Sequence, residues 1–229
     1  MTDNWVYAGA TVDIDEEDLI RFDFKNLQTE ILRFLNNRAE AFPAQADAIR
    51  TVAGEIESAS LPDPLPEPLR LPGCRHLPAA LEMAKDGPMS ELADAFTVFE
   101  PNMRWIRTEH YREKLGDDYM ENYCYANLLG YDALIPHDRI IATFFIIGPG
   151  RHYPRHHHEA EEIYFPFGGD TLWSQDDQPP TERLAGEPIH NTPWLPHEMK
   201  TQDTPLFTFC FWISPGPIQL AQLAEAKSS

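Results

Sequence analysis

The stretch that decides the fold of this chain reads Gly150-Arg-His-Tyr-Pro-Arg-His156-His157-His158-Glu-Ala-Glu-Glu162-Ile-Tyr164-Phe-Pro-Phe-Gly168. Side chains alternate between the two faces of a β-strand, so His156 and His158 point the same way. Glu162 and Tyr164 likewise share one face of the strand that follows. The glycines at both ends predict the turns of a hairpin.

A further imidazole stands in Pro193-Trp-Leu-Pro-His197-Glu-Met-Lys-Thr201, at the start of another β-rich stretch. Two or three histidines and one carboxylate, held on rigid strands, form a ligand set for a divalent transition metal with coordination positions left open. A run of histidines can also be a solvated turn that binds metal adventitiously, but the spacing here is more demanding than a simple tract. We therefore predict one metal ion, with Zn or Fe favoured and Mn, Co and Ni also suited. Its predicted ligands are His156, His158, Glu162 and His197.

Length and composition restrict the class of protein. The 229 residues suit one domain with a sizeable core, and no stretch approaches the ~20 apolar residues of a membrane span. The start of the chain shows no secretory signal, and three cysteines without a Cys-x-x-Cys pair indicate reduced thiols, so we expect a cytoplasmic protein. The net charge of -19 argues against nucleic acid and membranes as partners. It would favour a cationic ligand, or serve solubility alone.

Helical periodicity dominates residues 1–104, which we predict to be an N-terminal extension. Apolar residues recur at three- and four-residue steps from Asp15 to about Arg38, as one helix or as two that break near Phe24. The rest of this part is predicted to hold a helix, an extended Pro-rich connector and two more helices, at 43–58, 61–73, 79–85 and 90–99.

The sequence pattern changes from helical to strand-like in residues 105–229, which we predict to be the β domain with the metal site. Short β-branched or aromatic runs are separated by Gly, Pro and Asp without helices between them, a pattern typical of an antiparallel barrel or jelly roll. The end of the chain, 219–227, is expected to pack as a short helix or to fray. The predicted strands cover 123–129, 140–147, 161–167, 171–174 and 206–213.

The spacing of Gly150, His156, His158, Glu162 and Gly168 resembles the first signature motif of the cupin superfamily. The second cupin motif is matched more loosely, by Gly186, Pro193 or Pro196, and His197. The resemblance implies a mainly β protein, a cupin (jelly-roll) β-barrel with an N-terminal α-helical extension. Cupin barrels frequently pair through sheet edges, so a homodimer is a candidate assembly.

Within that superfamily the chain resembles the dimethylsulfoniopropionate lyases over about residues 105–213. The resemblance is carried by His156-x-His158-x3-Glu162-x-Tyr164 with Tyr153 and His197, by Asn122-Tyr-Cys-Tyr-Ala126-Asn-Leu-Leu-Gly130, and by Gly148-Pro-Gly150. The second motif departs from the cupin pattern, because it lacks Pro-x-Gly and ends in Thr201. The resemblance implies a carbon–sulfur lyase that cleaves a small cationic sulfonium carboxylate, dimethylsulfoniopropionate, into dimethyl sulfide and acrylate.

Such an elimination needs a base strong enough to remove a weakly acidic proton beside a carboxylate. A metal bound to that carboxylate would stabilise the developing charge, and a tyrosine beside the metal can become a phenolate because the cation lowers a pKa normally near ~10. Tyr164 is the first candidate for the base. Tyr153 is the second, as base or as a group that positions the substrate. The alternative for Tyr164 is a core aromatic with a hydrogen-bonded hydroxyl.

A sulfonium also needs a binding surface that attracts a cation. Aromatic faces provide one through cation–π interactions of ~0.5–2 kcal/mol each. Tyr123 and Tyr125 alternate with Cys124 and should share a face. The candidate substrate-binding residues are Tyr123, Tyr125, Trp173, Trp194 and Trp212. Phe209 also lies on a barrel segment, and counting along the sequence does not settle which of these aromatic residues face inward.

Two other functions stay open on the sequence alone. The same ligands could hold Fe(II) in a cupin dioxygenase or isomerase, in which Tyr164 would be incidental. A non-enzymatic binding or storage barrel is the other alternative, but it has no need to keep two imidazoles and a carboxylate together.

Overall fold

The computed structural model describes the backbone of residues 5–7, 10–12 and 15–223, and the side chains of residues 15–223. No helix in these ranges is long and apolar enough to cross a lipid bilayer. The α-helices are α1 (Glu16–Ala41), α2 (Ala46–Ser58), α3 (Leu77–Ala84), α4 (Ser90–Phe99) and α5 (Arg112–Met120). Short 3-10 helices cover Pro72–His76, Glu100–Asn102 and Glu109–Tyr111.

Fourteen strands lie in the described ranges. The first seven are β1 (Trp5–Tyr7), β2 (Ala10–Val12), β3 (Trp105–Ile106), β4 (Tyr123–Gly130), β5 (Ile135–Pro136), β6 (Ile140–Ile147) and β7 (His152–His157). The remaining seven are β8 (Glu161–Pro166), β9 (Leu172–Gln175), β10 (Thr181–Glu182), β11 (Ile189–Asn191), β12 (His197–Lys200), β13 (Leu206–Ile213) and β14 (Gln222–Leu223).

Helix α1 begins at a capped end and continues without a break. The Asp15 side chain accepts a hydrogen bond from the Asp18 backbone N–H at 2.8 Å, and acidic residues in the first turn complement the positive end of the helix dipole. Phe24, Leu27 and Ile31 are all buried on the face that packs inward. A single helix keeps these side chains in register, so the option of a break near Phe24 is wrong.

Two sheets face each other and form the barrel. The larger has the order β11-β8-β13-β6-β4-β3, with β5 added parallel to β4, and the smaller has the order β10-β9-β12-β7-β14. The other strands in these two sheets pair antiparallel. This arrangement confirms the expected antiparallel barrel.

The larger sheet is covered on both faces, so β4 and β6 are buried along their whole length. On its outer face the Phe96 ring of α4 lies 4.4 Å from the Phe144 ring and 5.0 Å from the Phe207 ring, between centroids. The Phe34 ring of α1 meets the Phe165 ring edge-on at 5.1 Å. The N-terminal helices are therefore a layer of the core. The division of the chain at 104/105 stays a prediction.

The structure differs from the sequence expectations at two further places. Helix α5 interrupts the part of the chain that was expected to hold strands only. A glycine inside it, Gly116, weakens the helical pattern of the sequence, and the backbone there leaves the helical conformation with φ +78. Near the end, β14 pairs with β7, so residues 222–223 form a strand rather than a helix. Residues 224–227 of that expectation lie outside the described residues.

Candidate functional site

Three imidazoles converge on the inner side of the smaller sheet. The antiparallel register places His197 of β12 directly opposite His156 of β7, with ring centroids 4.1 Å apart. His158 follows the end of β7, and its ring centroid lies 5.2 Å from that of His197. One ring nitrogen from each of the three lies within 4.8 Å of the others, and all three side chains are buried. The alternation read from the sequence therefore brings His156 and His158 to one face.

The backbone fixes the orientation of each ring. The Nδ1 atoms of His156, His158 and His197 lie 2.9 Å from the carbonyl oxygens of Pro154, Ala160 and Leu195, respectively. A carbonyl only accepts, so each Nδ1 carries the proton and donates it. Nε2, rather than Nδ1, is then the ring atom that each histidine can offer to a metal.

Glu162, on β8 of the facing sheet, reaches two of the three imidazoles. Its Oε2 lies 3.1 Å from Nε2 of His158 and 3.0 Å from Nε2 of His197. The carboxylate is held from behind, because Asn191 Nδ2 donates to Oε2 at 2.8 Å and Trp212 Nε1 donates to Oε1 at 2.5 Å. The side chain has no exposed surface. A fully buried carboxylate with these hydrogen bonds is held in one orientation.

The electrostatics of this cluster favour an ionised Glu162. Burial alone would raise its pKa, but His158 and His197 hold the pKa of the carboxyl well below its usual value. Burial opposes the charged form of His158 as well, yet Glu162 outweighs it and the pKa of that imidazole is raised. Burial and the neighbouring His197 lower the pKa of His156 well below its usual value.

The three imidazoles fit a divalent transition metal, and the Glu162 carboxylate lies beside two of them. Nε2 of His197 is buried and makes no hydrogen bond of acceptable geometry within the described residues, a costly state unless a ligand is present. Nitrogen and carboxylate donors suit the borderline metals of the first transition row. The arrangement can therefore hold one such ion, and the identity of the ion is not fixed by these donors.

The loop before β7 is tied to Thr201, the residue that follows β12 and ends the atypical second motif. The Thr201 hydroxyl donates to the Gly148 carbonyl at 2.8 Å and accepts from the Arg151 backbone N–H at 2.8 Å. Gly150 turns the chain there with φ +68, and Gly168 turns it after β8 with φ +155. Both glycines expected at turns thus lie at turns.

A cavity of about 500 Å³, including its open mouth, lies between the sheets next to Glu162. Tyr164 and Tyr153 both line it. The Tyr164 ring centroid is 6.4 Å from that of His197. The Tyr153 ring stacks on His156 at 4.1 Å, and its hydroxyl donates to the Tyr111 hydroxyl at 3.2 Å. Burial raises the pKa of both Tyr164 and Tyr153 well above the usual value, and the Glu162 charge adds to the rise for Tyr164.

The aromatic residues expected to bind substrate divide into three groups. Tyr123, Tyr125 and Trp212 line the cavity, and the first two share a face as expected. Trp173 is buried behind the cavity wall, with its ring 5.1 Å from that of Tyr164. Trp194 lies outside the cavity, in the loop before β12.

The position of Trp194 does not fit a substrate-binding role. Its side chain is 48% exposed and its ring is 5.9 Å from that of His157, on the outer side of the barrel. Phe209 is also turned away from the cavity, because it follows the alternation of β13 and packs against Phe144 of the helix-covered face. Sequence reasoning could not assign these faces without the register of the strands.

Several cavity residues were missed by the sequence reasoning. Tyr111 lies in the segment that leads into the unforeseen α5, and burial raises its pKa to about 12. Cys210 lies in an aromatic run, Phe207–Trp212, that is typical of a core strand, yet its Sγ donates to Glu162 Oε1 at 3.4 Å. The alternation of β13, which gives Cys210 and Trp212 one face, could have shown this. Other missed lining residues are Thr108, Asn127, Tyr131, Thr143 and Phe145.

Comparison with known proteins points to one family. The model of the dimethylsulfoniopropionate (DMSP) lyase family matches residues 45–208. The chain is 30% identical over 162 residues to dimethylsulfoniopropionate lyase DddQ of Ruegeria pomeroyi, an alignment that covers 67% of this chain and 77% of that protein.

Solved structures share the fold over most of the chain. A chain from the crystal structures of the DMSP lyases RdDddP and RnDddQII superimposes with a TM-score of 0.65 and 21% identity, covering 88% of this chain and 100% of that one. The crystal structure of DMSP lyase DddQ from Ruegeria pomeroyi DSS-3 gives a TM-score of 0.58 at 24% identity, covering 86% and 99%. At these identities the similarity shows the fold, a cupin barrel with N-terminal helices.

Proposed function

This chain belongs to the dimethylsulfoniopropionate lyase family, and from that premise we propose how its residues carry out the reaction. It is a carbon–sulfur lyase that cleaves dimethylsulfoniopropionate to dimethyl sulfide and acrylate. The observation that carries the mechanism is the convergence of three Nε2 atoms and the Glu162 carboxylate at the edge of a tyrosine-lined cavity.

His156, His158, Glu162 and His197 are the proposed ligands of one divalent transition metal. When bound, such an ion supplies positive charge that polarises the substrate carboxylate and lowers the pKa of a nearby phenol. The chain offers no other cation for this task among the described cavity-lining residues, which include neither Lys nor Arg. The substrate carboxylate is therefore expected to lie at the end of the cavity beside Glu162, the one proposed ligand among the described lining residues.

Tyr164 is the proposed base. It takes the proton from the carbon next to the carboxylate, that C–H electron pair becomes the new double bond, and the C–S pair leaves with sulfur as neutral dimethyl sulfide. Burial and Glu162 raise the pKa of Tyr164, so its deprotonation depends on positive charge close to the hydroxyl. Tyr164 lies two residues after Glu162 on the cavity face of β8, which supports this role over Tyr153.

Tyr153 is proposed to position the substrate. Its ring stacks on His156 and its hydroxyl already donates to Tyr111, so its proton is engaged. The tyrosine-lined wall, with Tyr123 and Tyr125, is the proposed surface for the sulfonium. A cytoplasmic location and a homodimer remain proposals from the sequence.

The direct test is the release of dimethyl sulfide into the headspace when purified, metal-loaded protein meets dimethylsulfoniopropionate. We expect equal amounts of dimethyl sulfide and acrylate. The matched control is His197→Ala, which keeps the cavity wall but loses one imidazole, and should release little of either. No dimethyl sulfide from fully metal-loaded protein would refute the proposal, and uptake of oxygen with a phenolic or thiol substrate would favour a dioxygenase.

A further inference from the structure

The cavity includes a polar corner formed by Asn127, Tyr125, Tyr131 and Thr108. The Tyr125 hydroxyl lies 2.9 Å from the Tyr131 hydroxyl and 3.2 Å from Thr108 Oγ1. Asn127 Nδ2 donates to the Tyr131 backbone carbonyl at 2.8 Å. Because a carbonyl can only accept, this bond fixes which end of the amide is the nitrogen.

The other end of that amide has no partner. Asn127 is 2% exposed and lines the cavity, and its Oδ1 makes no hydrogen bond within the described part of the chain. A buried oxygen left unpaired has given up its hydrogen bonds to water without replacing them, which destabilises the protein. Such a group is expected to have a ligand that compensates for it.

Strand register places this corner across the sheet from the proposed base. Tyr164, Cys210, Thr143 and Asn127 are direct neighbours on β8, β13, β6 and β4. Three strand spacings of ~4.8 Å separate the backbones of Tyr164 and Asn127 by about 14 Å. The side chains of both residues reach into that span, and the cavity lies between them.

The chemistry of the corner selects for positive charge without a hydrogen-bond donor of its own. Its groups are hydroxyl and amide oxygens and aromatic faces, and the only ionised side chain that lines the described cavity is Glu162. The methyl groups of an onium ion carry part of its positive charge, so they interact well with a carbonyl oxygen and with tyrosine faces. A neutral alkyl group of the same shape would leave Oδ1 uncompensated.

We propose that Asn127 Oδ1, with the hydroxyls of Tyr125 and Tyr131, forms the subsite for the sulfonium end of the substrate and selects methylated onium carboxylates over neutral isosteres. This inference rests on the proposed function, because it assigns the opposite end of the same bound molecule. Asn127 is then the residue that determines specificity for the cation.

Two non-reacting probes of the same shape test this subsite: 3-(trimethylammonio)propionate, which is cationic at the bulky end, and 4,4-dimethylpentanoate, which is neutral there. Their dissociation constants are measured by calorimetry on the metal-loaded protein, in the wild type, in Asn127→Leu and in Asn127→Asp. We expect the wild type to prefer the cationic probe. Asn127→Leu should reduce that preference about tenfold, and Asn127→Asp should increase it.

The neutral probe is the internal control, because damage to folding or to cavity shape weakens both probes alike. A preference that is unchanged in both variants, as expected if Oδ1 merely holds a water, overturns the inference. An equal loss of affinity for the two probes overturns it too. Failure of the proposed function would give a different result. The wild type would prefer the cationic probe and that preference would respond to the Asn127 substitutions, but the protein would release no dimethyl sulfide. The subsite would then be supported and the proposed reaction refuted.

Discussion

Asn191 holds the proposed metal ligand Glu162, and its replacement by leucine should weaken metal binding while the fold survives. The Asn191 and Glu162 side chains are both buried, and the amide donates to Oε2 at 2.8 Å. Gln175 Nε2 in turn donates to Asn191 Oδ1 at 2.7 Å, which fixes the amide. Leucine has nearly the same shape, so the substitution removes the donor without opening a large cavity.

The magnitude follows from the type of bond. A hydrogen bond to a charged group contributes about 1.5–3 kcal/mol, and every 1.4 kcal/mol is a factor of ten in an equilibrium constant. If the whole loss reaches the metal site, affinity falls about 10- to 100-fold, the range found when a residue that supports a ligand is lost. Trp212 and Cys210 still hold Oε1, so Glu162 stays near the imidazoles. We therefore expect the lower half of that range.

Metal affinity is measured by competition with a chelator of known affinity, and folding by circular dichroism. The matched control is His190→Gln on the same strand, because His190 is half-buried and bonds Glu161 Oε1 at 2.8 Å instead of Glu162. That variant should bind metal as the wild type does. A folded Asn191→Leu protein whose metal affinity stays within twofold of the wild type would refute the reasoning.

Four further predictions follow from the same contacts. Tyr164→Phe should keep the metal and release dimethyl sulfide ~10²-fold or more slowly. Full activity of Tyr164→Phe, together with a loss of activity in Tyr153→Phe, would reverse the roles of the two tyrosines. The pocket raises the pKa of Tyr164, and the fraction of its phenolate falls as the pH drops below that pKa, so the rate should fall from pH 8 to pH 7 at constant bound metal. A rate that only follows metal occupancy would count against the phenolate. His158→Ala should lose metal in elemental analysis, and full stoichiometry would remove it from the ligands. Phe96→Ala should cost about 3–5 kcal/mol in urea unfolding, since the ring is fully buried between α4 and the sheet, whereas exposed Val98→Ala on the same helix should change stability little.

Three of the proposed ligands, His156, His158 and Glu162, could be read from the sequence because their arrangement is local, whereas His197 reaches them only through the pairing of β12 with β7. Alternation along a strand needs no tertiary information, so His156 and His158, and likewise Glu162 and Tyr164, were assigned to shared faces before the fold was known. The long strands β6 and β13 were also predicted with their bounds, since runs of β-branched and aromatic residues carry a strong local signal.

Strand register and layer order were decided only by the tertiary structure. Whether an aromatic residue faces the cavity depends on which side of its strand the helices cover, and this turns Phe209 away from the cavity. Trp194 lies in a loop with an exposed side chain, a position that strand alternation does not describe. Asn191 meets Glu162 because β11 pairs with β8, a contact between residues 29 positions apart that no local pattern encodes. Local spacing therefore determined the kind of site, whereas long-range pairing determined which side chains support it and which end of the cavity is left for the substrate.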